Sequence, residues 1–456
     1  MSANRLGEEK ISKLLWEFSL PATVGMLVNA IYNVVDRLFI GHAPNLGNLG
    51  LAALTIAFPL MMIMMAFAIM IGVGGSTLFS IHMGRKEPEQ AERFLGNAVT
   101  CMIAVSVLFT IAGLTFIDPL LRLFGADAEV LPLAREYLSV ILFGTLFQTI
   151  SMGLNNFIRA NGSPKTAMCT MFIGAGFNIV FDAVFILGFG WGLAGAAWAT
   201  IGGQALSAVW CIAYFVRSKN TRLRLRYMIP HFRRIGKIIA TGFPALIMNI
   251  VGSILNVFLN LQLMSYGGNI AISAMGIVNS LQTFLVMPVI GLNQGVQPII
   301  SYNYGAKRLD RVHLALYQGM GAATVICLIG WILTRFCPGA LAAIFTGDSE
   351  LIALTSVFVS RWFACLILVG AQIIGSNYFQ AIGKPVISSF LTMSRQVLLL
   401  IPLIYFLPLF WGRDGILLAA PISDAISFIL VACWLFFYLQ RQKKAHREEG
   451  VFLNQG

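Results

Sequence analysis

Twelve long apolar runs alternate with short polar connections along the chain. The runs fall at 15–40, 50–81, 96–117, 134–160, 167–189 and 194–216 in the first half. They fall at 242–265, 271–302, 313–335, 351–380, 386–410 and 415–438 in the second. Each is as long as the roughly 20 residues a helix needs to cross about 30 Å of hydrocarbon. The runs are apolar on every face rather than at alternate positions. Lipid tolerates only helices or closed barrels, and a barrel would show alternation in short segments. The pattern therefore predicts an all-α polytopic membrane protein of twelve spans.

The connections divide by charge. Of the 31 lysines and arginines, 24 lie in the two tails and the connections on their side, with only Arg122, Arg135, Arg335 and Arg413 in the opposite loops. The positive-inside rule then puts both termini in the cytoplasm of a plasma (inner) membrane protein. The net charge of +12 thus reads as an orientation signal facing anionic lipid, not as nucleic-acid binding. The longest polar connection, 217–237, carries eight of these cations. It reads as a cytoplasmic linker with a surface-lying amphipathic piece, between an N-terminal six-helix lobe (1–216) and a C-terminal one (238–440), with a tail at 441–456.

Composition agrees: 58% of residues are hydrophobic and 11% charged, against about half and a quarter in soluble domains. Residues 1–13 are polar and precede a full-length span, which argues against a cleaved leader. The seven cysteines form no CxxC pair or zinc spacing and read as packing residues.

The two halves resemble each other. NNFIRANGSPK at 155–165 parallels SNYFQAIGKPV at 376–386, with Asn156, Gly162 and Pro164 matching Asn377, Gly383 and Pro385 at an offset of 221. Gly84 and Lys86 match Gly305 and Lys307 at that offset; Trp191, Gly192 and Gly195 match Trp411, Gly412 and Gly415 at 220, and Pro21 matches Pro244 at 223. A near-constant offset from end to end implies duplication of a six-helix unit, with halves in one orientation and a pseudo-twofold axis along the membrane normal. Such halves enclose a central cavity and work as one transport unit, so a single chain is expected to suffice.

Charges inside spans are costly, so each is a functional candidate. The acids are Asp36, Asp182 and Asp424; the bases are Arg37, Arg361 and Arg395. Asn178 and Asp182 share a helix face at i, i+4. Asp36, Asp182 and Thr200 fall at one level, roughly 6–11 Å below the outer surface by helical rise. Two carboxylates, an amide and a hydroxyl at one depth suit a proton or a cation such as Na⁺. The alternative is structural: Asp36 bridging Arg37 or capping a helix, and Thr200 bonding to its own turn. In the second half, Arg361 or Arg395 would either neutralise Asp424 or face the cavity. Pro21 predicts a kink in the first span, static or responsive. The Met and Phe residues pack, face lipid or line an adaptable cavity.

With these residues the chain resembles the multidrug and toxic compound extrusion family. The likeness spans about 12–440 and includes the duplication, LPATVGMLVNAIYNVVDRLFIGH at the start, and NQGVQPIISYNYGAKR near 293–308. In the DinF-like branch, an N-terminal polar cluster couples transport to H⁺ or Na⁺. The resemblance assigns that role to Asp36, Asn178, Asp182 and Thr200, adds Asn155, places Tyr32 and Tyr137 along the same region, and makes Pro21 a bending point. The NorM-like branch also has acids in its seventh, eighth or tenth helix, which these spans lack. The resemblance implies a V-shaped pair of bundles and export of organic cations or amphipathic compounds against H⁺ or Na⁺, without a cofactor.

Two other readings compete. A flippase for lipid-linked or amphipathic substrates would favour fourteen spans and a strongly basic cavity. A membrane enzyme or receptor would need a convergent catalytic set. No GxxxxGK[ST], HExxH or GxSxG occurs in the sequence, so neither an ATP motor nor these catalytic centres is encoded.

Overall fold

The computed structural model describes residues 2–41, 47–218 and 221–453. No strand occurs among them. The spans, labelled here α1–α12, begin with α1 (Ile11–Gly41), α2 (Gly47–Gly84), α3 (Pro88–Thr115) and α4 (Val130–Ala160). Then come α5, which is α-helical over Pro164–Asp182 and widens to a π-helix over Ala183–Gly188, and α6 (Gly192–Arg217).

A 74-residue helical run, Phe232–Gly305, follows. It is two spans, because Gly268 sits at φ 66° inside it, a conformation open chiefly to glycine. We take 232–267 as α7 and 269–305 as α8. α9 is Leu309–Phe336. α10 joins Ser349–Trp362 to Leu366–Ala381 through a 49° bend. α11 runs from Pro385–Met393 through a π-helical turn, Ser394–Leu400, to Ile401–Phe406. α12 is the part of Pro408–Leu453 beyond the break at Gly412. With the long run divided, the described residues give the twelve spans that the hydropathy pattern predicts.

The repeat is written into the backbone. Lys86 (φ 61°) and Lys307 (φ 57°) are the only described non-glycine residues with positive φ, and they stand 221 apart. Gly162 (φ 83°) recurs as Gly383 (φ 75°), and Gly192 (φ 57°) as Gly412 (φ 55°). Three of the sequence matches are thus repeated left-handed turns at helix ends.

The chain divides into two compact units, one of 1–253, 290–315 and 380–386, the other of 254–289, 316–379 and 387–456. In the first, α2 and α8 cross at their ends without side chains between them. A Cβ on Gly84 would stand 2.0 Å from the Tyr302 carbonyl oxygen, and one on Gly305 2.0 Å from that of Ile81. The glycine of the 293–308 stretch, Gly295, has the same use: its Cβ would meet Ser19 Oγ at 2.4 Å.

Two apolar clusters fill the six-helix part of this unit. One gathers Ile40, Tyr137, Ile141, Leu142, Ile186 and Leu193. The other gathers Phe79, Phe94, Phe157, Ala167, Ala208 and Phe215. α5 and α6 pass through both, so the stretch of each helix between them is flanked by apolar packing at either end.

The 217–237 connection has little regular structure among its described residues. It holds one short 3₁₀ turn, Leu225–Tyr227, and α7 begins at Phe232. α3 fixes it by polar contacts: Asn97 Nδ2 donates to the Tyr227 carbonyl (3.0 Å), while its Oδ1 accepts from the His231 amide (2.8 Å). Glu92 accepts from the Arg222 amide (2.9 Å) and pairs with Arg224 (3.0 Å).

Candidate functional site

Asn178 and Asp182 occupy the last α-helical turn of α5, directly before the π-helical segment. A π-bulge re-aims the side chains around it and recurs at functional sites. Both residues are buried, Asp182 completely. Asn178 Nδ2 donates to Thr200 Oγ1 on α6 at 3.2 Å. From α1, the half-buried Asp36 brings its carboxyl within hydrogen-bonding reach of Asp182. The four residues from three helices therefore meet in one cluster, between Ala167 and Ile186 along α5 and between Ala197 and Ala208 along α6.

No amide or hydroxyl among the described residues donates to either oxygen of Asp182, and Asn178 Oδ1 is also without a donor. Two carboxyls thus face each other, and among the described residues no arginine or lysine pairs with Asp182. The amide oxygen, the hydroxyl and the carboxyl oxygens form a hard-oxygen set. No cluster of three His, Cys, Asp or Glu occurs among the described residues.

The remaining candidates distribute differently. Asn155 is buried, but its Nδ2 donates to the Ala167 carbonyl at 2.7 Å. Ala167 lies 15 residues from Asp182, roughly 22 Å along α5, so Asn155 belongs to the other end of the lobe. Tyr137 packs in the apolar cluster with Ile40 and Ile186, and Tyr32 stands one turn before Asp36 on α1. Pro21 lies inside an unbroken helix, also roughly 22 Å from Asp36. It does not adjoin the acid. The side chain of Arg37 lies outside the described residues, and so does the bridge it would make to Asp36.

In the second half, Arg395 Nε donates to Asp424 Oδ1 at 2.7 Å, and Ser423 Oγ donates to the Arg395 carbonyl at 2.7 Å. Of the two arginines, Arg395 neutralises Asp424. Arg361 pairs instead with Asp414 at the start of α12.

Arg159 corrects the sequence reading, which counts it among the loop cations. It is 4% exposed, lies in the last turn of α4 and donates to Asn156 Oδ1 at 2.8 Å. It borders a polar seam with Ser76, Thr77, Ser80 and Gln297, whose members are spread over three spans. Only the i, i+3 spacing of Asn156 and Arg159 hinted at it. Of the seven free cysteines, Cys101, Cys211 and Cys327 are buried as packing residues, whereas Cys169, Cys337 and Cys433 are exposed.

A multi-span helical protein built as a tandem repeat, with a buried polar cluster in one repeat, has the architecture of a membrane transporter. The chain belongs to the MatE family, whose sequence model matches residues 21–184 and 244–406. The two matched blocks are displaced by 222–223 positions, the same offset as the internal repeat. The chain is 28% identical over 437 residues, 95% of each chain, to the multidrug export protein MepA of Staphylococcus aureus strain N315. It superposes with a TM-score of 0.91 on the outward-facing structure of a multidrug resistance MATE family transporter, at 25% identity over 97% of this chain and 99% of that one. It also superposes on a MOP superfamily transporter from Pyrococcus furiosus, described as having a binding pocket of reverse polarity, with a TM-score of 0.90 at 25% identity over 97% and 99%.

Proposed function

We propose that the protein is a cation-coupled multidrug efflux antiporter, exporting organic cations or amphipathic compounds in exchange for H⁺ or Na⁺. The observation that carries this is the facing pair Asp36 and Asp182, the latter completely buried. Adjacent carboxyls in such surroundings are electrically tolerable only with a proton or small cation between them. Loading and unloading that ion changes the charge of a site shared by α1, α5 and α6, and so changes which helix arrangement is stable. Asn178 and Thr200 complete the ion's shell: Oδ1 and Oγ1 supply neutral oxygens, which Na⁺ would use directly and a proton would not need. The multidrug export proteins among its relatives support the substrate class.

Coupling follows if the ion-loaded site and bound substrate favour different states. Ion entry from outside then promotes substrate release there, and ion loss inward resets the protein. We place both termini in the cytoplasm on the charge asymmetry of the connections, and take one chain as the transporting unit on the internal repeat.

The test uses purified protein in liposomes, efflux of a fluorescent organic cation, and an imposed pH or sodium gradient, with wild type and Asp182→Asn. Efflux driven by one gradient and lost in the folded variant supports the reading and identifies the ion. Efflux indifferent to both gradients sinks the coupling. Transbilayer movement of a lipid-linked probe under those conditions would favour a flippase.

A further inference from the structure

We propose that the cavity between the cytoplasmic-side end of α3 and the inter-repeat linker binds the phosphate headgroup of an anionic membrane lipid. The cavity holds about 340 Å³, room for a headgroup rather than for a few waters. Its charged and aromatic lining is Glu89, Arg93, Arg226, Tyr227, His231 and Arg234, with Asn97 beside them. One carboxylate therefore faces three guanidiniums, and Arg93 Nη2 already engages that carboxylate at 2.8 Å. Neither Arg226 nor Arg234 pairs with a carboxylate among the described residues. Arg226 donates to the Tyr227 hydroxyl, so it reaches Glu89 only through that ring. Three guanidiniums thus outnumber one acid and leave a positive well with N–H donors to spare, in the planar geometry that grips phosphate oxygens in pairs.

The well is held in shape from beneath. Tyr227 is buried, and Arg226 and Arg93 lie 4.5 and 5.5 Å from its ring centre. Its hydroxyl donates to Glu89 at 3.2 Å. Asn97 fixes the backbone on both sides of it, through the Tyr227 carbonyl and the His231 amide. Arg93 and Arg226 are thus ordered before any anion arrives, which lowers the entropic cost of binding.

What separates a lipid from a free phosphate is the apolar rim. Leu225, Ile229 and Phe232 are 83%, 72% and 86% exposed, on the same short segment that supplies Arg226, His231 and Arg234. Three bare apolar side chains at the edge of a membrane span bury themselves among acyl chains. The cations between them then sit at headgroup level. An anion with attached acyl chains satisfies both features, and inorganic phosphate only one.

The test is thermal unfolding of the full-length protein in neutral detergent micelles doped with phosphatidylglycerol, phosphatidylcholine or inorganic phosphate. Phosphatidylglycerol should raise Tm by several degrees and the other two should not. The gain should fall by more than half in Arg226→Gln/Arg234→Gln. It should persist in Arg122→Gln/Arg335→Gln, which removes equal charge from the opposite loops. A gain of equal size with phosphatidylcholine, or an undiminished gain in the first double variant, overturns the proposal. An equal gain with inorganic phosphate overturns the lipid assignment in favour of a free-phosphate site. Leu225→Ser/Phe232→Ser keeps every cation. Native mass spectrometry should show it retaining less phosphatidylglycerol than wild type, and unchanged retention counts against the acyl rim.

Discussion

α5 and α6 in the first half and α11 and α12 in the second are the same pair of helices, repeated. At an offset of 220–223, Asp36, Asn178, Asp182 and Thr200 correspond to Leu259, Leu399, Leu403 and Ala420. Conversely, Arg395 and Asp424 correspond to Gly174 and Gln204. Both pairs hold a polar element, one with its acid facing another acid, the other with its acid bonded to an arginine at 2.7 Å. A buried acid with its own cation has no need of a mobile one. A buried acid without one must borrow a proton or an ion. The comparison teaches that duplication supplied one scaffold twice, and that the proposed ion exchange belongs to the half in which Asp182 has no cation of its own among the described residues.

The largest effect should come from removing that imbalance. Asp182→Asn and Asp36→Asn should each cut gradient-driven efflux at least tenfold while folded yield stays near wild type, because an amide is easier to bury than a carboxyl. Size-exclusion profiles and liposome efflux check this, and wild-type efflux in either variant breaks the comparison. In the second half the same chemistry should damage folding rather than transport. Arg395→Ala strands Asp424 in a site where both are largely buried, and breaking such a pair costs about 3–5 kcal/mol. Thermal unfolding should show a clear loss of stability. Arg395→Met/Asp424→Leu, which removes both charges, should recover most of it and keep efflux. A stable double variant without transport would give the second half a role in the cavity.

Much of this was legible in the sequence. The spans follow from apolar runs, the repeat from a constant offset, and the meeting of Asp36 with Asp182 from matched depths in different helices. That one of Arg361 and Arg395 would neutralise Asp424 followed from the scarcity of intramembrane charge, and the structure chooses Arg395. Arg159 was misread because a cation at a helix end next to a polar turn looks solvated. Its burial depends on serines, threonine and glutamine from α2 and α8, which no local pattern marks. The Arg361–Asp414 pair was missed for a related reason: Asp414 counts as a loop acid until the break at Gly412 starts a helix beneath it. The clamp of Asn97 and Glu92 on the linker joins residues about 130 apart, mostly through backbone groups that carry no side-chain signature.

A smaller effect should distinguish the neutral members of the first-half cluster from its acids. Thr200→Val removes the hydroxyl that receives the 3.2 Å bond from Asn178. A neutral hydrogen bond is worth about 1 kcal/mol, or roughly fivefold. If Na⁺ is the coupling ion, the sodium concentration for half-maximal efflux should rise by about that factor. If H⁺ couples, Thr200→Val should leave the pH dependence nearly unmoved, since a proton between the carboxyls does not need Thr200 as a ligand. A tenfold loss of maximal rate would instead put Thr200 on a level with the acids.

The smallest effect should be at Arg361. Its side chain is 40% exposed and that of Asp414 48%, so water screens the pair and competes for both partners. Such pairs contribute about 0–1 kcal/mol. Arg361→Gln should therefore shift Tm by a degree or two at low salt and less at high salt, with efflux unchanged. Asp414→Asn should give the same small shift, and the double variant no more than either single one, because each single change already removes the interaction. The contrast with Arg395 is then one of burial alone: two arginine–aspartate pairs within one half, alike in contact and unlike in how much water each excludes. A loss of transport in Arg361→Gln with Tm unchanged would mean that the guanidinium acts on substrate, and charge balance would no longer separate the two halves.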